Sequence, residues 1–197
     1  VIPSSAAGLR ASRREREADR TGALAVTLAG LALLLARPGL VREVSSPVPV
    51  LVGLYALLLV GSLAPGQVRV GSPALGAAPA FFLGAAAVAL AWLAVRTPAI
   101  PAGAGSAALL LDTLAALAEE ALFRRLMYGW LLRWGPVAAV GGTAVAFALV
   151  HVPTYGWVAL PIDLGAGLVL SWQRWACGRW EVPAATHALA NLLAVVG

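Results

Sequence analysis

The sequence predicts an all-α protein, a polytopic helical membrane protein with about seven transmembrane helices, and three observations carry that prediction. Of the 197 residues, 60% are hydrophobic and only 12% are charged, against roughly a quarter charged in a soluble domain. The mean hydropathy is +0.86. The apolar residues also gather into seven runs, most of them parted by proline and glycine. At this length one helical domain is expected: residues 1–20 as a basic cytosolic tail and residues 21–197 as the membrane domain, with residues 107–197 carrying the polar motifs.

The tail is rich in Ser, Ala and Arg. Five of the fourteen basic residues, all of which are arginine, lie between Arg10 and Arg20 beside Glu15, Glu17 and Asp19. Next to a first apolar run, such a cluster marks the cytosolic side of a membrane rather than a nucleic-acid surface. A cleaved signal peptide is not the reading, because apolar runs continue to the C-terminus.

The runs cover residues 22–36, 49–63, 78–95, 107–134, 137–152, 158–175 and 182–196. About 20 residues cross a bilayer, so the first, fifth and seventh are short. The fourth is too long for one straight crossing, and Arg124, Arg125 and Arg133 place its last part along the inner interface or at a bend there. Breaks fall at Arg37-Pro38-Gly39, Ala64-Pro65-Gly66, Thr97-Pro98 with Pro101, Gly135-Pro136 and Pro153. The Ala/Gly/Leu bias reads as small residues at helix contacts. With the tail inside, Arg69, Arg124, Arg125, Arg133, Arg174 and Arg179 fall on the inner side, and Arg37, Arg42 and Arg96 on the outer. That asymmetry predicts a multi-pass cell-membrane protein with a cytosolic N-terminus. Cys177 is the single cysteine, which excludes an intramolecular disulfide and a thiolate metal site.

Three polar clusters interrupt these runs: Glu119-Glu120-x-x-x-Arg124, Phe147-x-x-x-His151 and His187-x-x-x-Asn191. An ionisable side chain near the centre of a membrane helix costs roughly 2.5–3.5 kcal/mol on insertion scales, so such groups mark functional sites by default. Glu120 and Arg124 share a helix face in the favourable acid-before-base order and read as an ion pair. Glu119, about 100° away on the helix, is then free to face a cavity and act as a general base for water. A single ion-pair network joining all three residues is the bland alternative.

Glu119 lies sixteen residues before Gly135 and His151 sixteen after it. In an antiparallel hairpin the two reach similar depth and can polarise one water. Phe147 packs beside them. His187 and Asn191 share a face of the last helix. Their neutral N–H donors suit an oxyanion, although helix–helix hydrogen bonding explains such a pair equally well. Asp112 extends the polar lining of the Glu119 face or caps a kink, and Asp163 follows Pro161. Both stay outside the site.

In this order on successive membrane helices, the three motifs resemble the CPBP family, the CAAX-protease and bacteriocin-processing intramembrane glutamic endopeptidases related to the type II CAAX prenyl endopeptidase. The resemblance covers residues 107–196. It implies that Glu119 and His151 activate water, that His187 and Asn191 hold the oxyanion, and that Glu120 and Arg124 support the first motif. It further implies a metal-free glutamate mechanism without cofactor. Zinc on two histidines and a glutamate is the lesser alternative.

The expectation is therefore an intramembrane endopeptidase acting on a membrane-associated or lipidated peptide, with membrane lipid as its other partner and no nucleic acid. One rival is a non-catalytic membrane scaffold or bacteriocin-immunity protein that uses the polar cluster for packing. The other is an ion-coupled carrier, which also places carboxylates and histidines at midplane but would show an inverted repeat.

Overall fold

The computed structural model describes residues 6–64, 73–95 and 106–196. Arg69, Arg96 and the breaks at 65–66, 97–98 and 101 lie outside them. Among the described residues every regular element is helical. Helix α1 runs Ala6–Arg42, α2 Pro47–Leu63 and α3 Ala77–Val95. Helix α4, Ser106–Glu120, passes into a π-helical segment at Ala121–Met127, and α5, Tyr128–Leu131, ends that rod in a 3-10 turn at Leu132–Trp134. Then come α6 Pro136–Tyr155, α7 Leu160–Cys177 and α8 Glu181–Val196.

Two expected breaks are absent. Helix α1 continues through Pro38, and α6 continues through Pro153. Each proline removes one rung of the helical ladder. Tertiary contacts hold both turns: Arg37 of α1 donates to Thr154 of α6 beside Pro153 at 2.8 Å. Helices α5 and α6 are instead parted by Gly135, whose φ of 97° only glycine adopts readily, and Pro136 then opens α6. The over-long fourth run resolves into the α4–π–α5 rod, with a change of helical pitch at Ala121–Met127 in the part where the sequence predicted an interfacial stretch or a bend.

Small residues set the close approaches. A Cβ on Gly30 of α1 would lie 2.8 Å from a methyl of Leu122, and one on Gly167 of α7 would lie 3.0 Å from the Ala144 backbone of α6. The main core joins Leu34, Leu58, Leu122, Phe123, Phe147 and Leu170 across five of these elements. A second, smaller core ties Ala80, Cys177 and Val182 together. Beside it Gln173 donates to the Ala80 carbonyl at 2.8 Å and to Thr186 Oγ1 at 2.9 Å.

Large apolar side chains stand on the outer surface, among them Leu57, Phe82, Leu90, Leu110 and Val137. Among the described residues, three helices are long and apolar enough to cross a membrane, Thr21–Arg42, Ala77–Ala94 and Pro136–Tyr155, while Pro47–Leu63 is apolar but shorter. The sequence had suggested about seven. The remaining rods are short or carry the polar groups described next, which lower their hydropathy.

Candidate active site

Glu119 and Glu120 end α4 just before the backbone widens into the π segment, a device that recurs at functional sites. Adjacent on the helix, they point to different neighbours and found two separate networks. This replaces the single three-residue network with a more specific arrangement.

Glu120 and Arg124 are wholly buried. Glu120 Oε1 accepts from Arg124 Nη1 at 2.8 Å and from His187 Nδ1 at 3.0 Å. Arg124 Nη2 donates to the Gly167 carbonyl at 3.1 Å, and its guanidinium lies 4.6 Å from the Phe147 ring centre. The Arg124 carbonyl, inside the π segment, in turn accepts from Arg174 Nε at 2.9 Å. Helices α4, α7 and α8 are thus tied through one fully desolvated ion pair.

Glu119, 3% exposed, faces the other way. Its Oε2 is 3.6 Å from His151 Nε2, and its Oε1 is 3.5 Å from Arg37 Nη1. His151 Nδ1 lies 2.7 Å from the Phe147 carbonyl, which only accepts, so Nδ1 carries a proton, and in the neutral ring that tautomer turns a lone pair on Nε2 toward Glu119. Two acceptors at this separation call for a donor between them, and a water molecule supplies two O–H groups. Tyr155 stacks on the His151 ring at 5.8 Å. Phe147 contacts the rings of both His151 (4.5 Å) and His187 (5.5 Å) and forms the wall between the networks.

Glu119, His151, His187 and Asn191 line a cavity of about 200 Å³. Asn191 Nδ2 donates one N–H to the Asp112 carbonyl at 3.1 Å, which leaves its second N–H for a ligand. His187 spends its Nδ1 side on Glu120 Oε1. With Nδ1–H directed at Glu120, only the imidazolium has a further N–H to offer at Nε2.

Arg37, Tyr55 and Asp112 line the cavity, although the sequence reading left all three outside the site. Asp163 lies within electrostatic range of His151, Glu119 and His187. Arg37, which the arginine count placed on the outer side, is a buried residue of the cavity wall. Its only signal was an arginine at the end of an apolar run, which a topology count absorbs as a flank. Tyr55 of α2 joins Arg37 there and had no signal beyond an aromatic in an apolar run.

Among the described residues no three His, Cys, Asp or Glu side chains converge as a metal-holding group. The two-histidine, one-glutamate set is split, with His151 facing Glu119 and His187 bonded to Glu120. These donors do not fit zinc's requirement of three convergent protein ligands.

Residues 102–193, just under half of the chain, match the family model described as type II CAAX prenyl endopeptidase Rce1-like. The match takes in every residue of the three motifs and excludes Arg37 and Tyr55. Comparisons with curated proteins and with solved structures give no match.

Proposed function

We propose that this chain, whose residues 102–193 match the Rce1-like model of type II CAAX prenyl endopeptidases and support the CAAX-protease family, hydrolyses a peptide bond of a membrane-associated or lipidated peptide. The observation that carries this reading is the facing pair of Glu119 Oε2 and His151 Nε2, 3.6 Å apart on a cavity that His187 and Asn191 also line.

A water donating to both atoms has its oxygen lone pairs turned outward to the scissile carbonyl. As that oxygen bonds to the carbonyl carbon, Glu119 takes a proton, and the carbonyl oxygen becomes an oxyanion. The second N–H of Asn191 and Nε2–H of a His187 imidazolium stabilise it. Glu120, shared by Arg124 and His187, bears one negative charge against two positive ones, so the network stays net positive where the oxyanion develops. The C–N bond then breaks, and the proton on Glu119 passes to the leaving amine. The protein's setting in this reading is the cell membrane, crossed by about seven helices, with the arginine-rich N-terminus cytosolic and lipid around it.

The test is mass-spectrometric cleavage profiling of prenylated and plain peptides by the purified protein and by Glu119→Gln, with and without chelator. We expect cleavage by the wild type, unaffected by chelator and absent in the variant. Cleavage that survives Glu119→Gln would sink the mechanism. A scaffold or immunity role has one observation in its favour: both carboxylates are engaged by arginines. It predicts that Glu119→Gln lowers abundance while leaving any biological readout intact at matched levels.

A further inference from the structure

Arg37 lies outside the segment that carries the family match, yet it is the residue that meets the far oxygen of Glu119. It stands on α1, a helix apolar enough to cross a membrane, and is 9% exposed. A guanidinium in such surroundings needs partners, and it has three on three other helices. Nη1 donates to Tyr55 Oη of α2 at 2.6 Å, and Nη2 donates to Thr154 Oγ1 of α6 at 2.8 Å. Nη1 also faces Glu119 Oε1 of α4 at 3.5 Å. Both anchoring groups are neutral hydroxyls. They fix the plane of the guanidinium without neutralising it, so its charge is left to act on Glu119.

The two oxygens of Glu119 are therefore bracketed, Oε1 by Arg37 at 3.5 Å and Oε2 by His151 at 3.6 Å. Neither distance is that of a direct charge-assisted bond, about 2.7–2.9 Å. The carboxylate is held between two groups while both oxygens keep room to accept from water. A direct bidentate pair with arginine would have consumed the lone pairs that a base needs. Arginine suits the task because its charge is permanent and its rigid fork engages two anchors at once.

We propose that Arg37, held by Tyr55 and Thr154, is a positioning residue that aims the Glu119 carboxylate at the attacking water. The proposal rests on the peptidase reading above and extends the working site from the C-terminal helices to α1 and α2. Arg37 acts through Glu119, so its loss lowers turnover rather than substrate binding. Misplacement of a reacting group by about 1 Å costs on the order of 10²-fold in rate.

The experiment measures kcat and KM separately for wild type, Arg37→Gln, Arg37→Lys, Tyr55→Phe and Glu119→Gln on one cleaved peptide. For Arg37→Gln we expect kcat lower by on the order of 10²-fold, with KM changed less than about threefold. Arg37→Lys keeps the charge but not the fork and recovers about tenfold of that loss. Tyr55→Phe, which removes one anchor, loses several-fold in kcat alone. A wild-type kcat in Arg37→Gln, or a loss confined to KM, overturns the proposal. If Arg37→Gln does not accumulate, Arg37→Lys and Tyr55→Phe decide alone, and wild-type kcat in both overturns it. Inactive Glu119→Gln beside fully active Arg37→Gln rejects the role of Arg37 while leaving the peptidase reading standing. Active Glu119→Gln rejects that reading itself.

Discussion

Glu119 and His151 stand at equal sequence distance on either side of Gly135, and the hairpin that turns there brings Oε2 of one within 3.6 Å of Nε2 of the other. The contact crosses two helices and survives the π segment between Glu119 and the turn. His151 cannot easily rotate away, because its other nitrogen is bound to the Phe147 carbonyl and its ring is stacked on Tyr155.

His151→Ala should accordingly remove one of two acceptors from the proposed water without touching the Glu120 network. The expected result is a fall of about 10²–10⁴-fold in kcat with the fold retained. Steady-state cleavage, with circular dichroism on the same preparation, checks it. Turnover at wild-type level would show that the pair is structural.

The Glu120–Arg124 pair should behave as a buried ion pair does when broken from one side. Glu120→Leu leaves Arg124 and His187 without their shared acceptor, and a loss of about 3–5 kcal/mol is expected. Glu120→Leu combined with Arg124→Leu removes both charges and should cost less than Glu120→Leu alone. Unfolding by denaturing detergent, run on singles and double as a cycle, gives the coupling. Additive losses would mean that the pair contributes nothing as a pair.

Asn191 has two tasks, and two readouts separate them. Asn191→Ala loses the bond to the Asp112 carbonyl, worth about 1 kcal/mol of stability. Its second N–H is the proposed oxyanion donor, whose loss costs about 10²–10³-fold in kcat. A stability loss without a kinetic one would assign Asn191 to helix packing only.

Gly167 tests how tightly the site depends on helix spacing. A Cβ there would lie 3.0 Å from both Cα and O of Ala144, while Gly167's own carbonyl accepts from Arg124. Gly167→Val should destabilise by about 1–3 kcal/mol and disturb the Arg124 network with it. Gly141→Ala, where a Cβ meets nothing within 4 Å, should be nearly neutral. Equal melting temperatures for the two variants would show that the α6–α7 contact yields freely.

What was legible in the chain was short-range. Apolar runs and their glycine and proline punctuation indicated helices, and the Glu120–Arg124 pair follows from four-residue spacing on one helix face. The meeting of Glu119 and His151 could be counted because one tight turn links their helices. Pro38 and Pro153 misled, since a helix interior tolerates proline when side chains such as Arg37 and Thr154 tie the turn across helices.

Longer-range relations belong to packing. His187 on Glu120, Asn191 on the Asp112 carbonyl and Arg37 on Glu119 each join helices far apart in the chain. Their meeting depends on how each helix is rotated and how closely small residues such as Gly30 and Gly167 let backbones approach. Helical periodicity states which residues share a face of one helix, and it is silent on which face of another helix they will meet. That is why the three motifs could be read from residue spacing, whereas the arginine beside Glu119 emerged only once α1 and α2 were packed against α4 and α6.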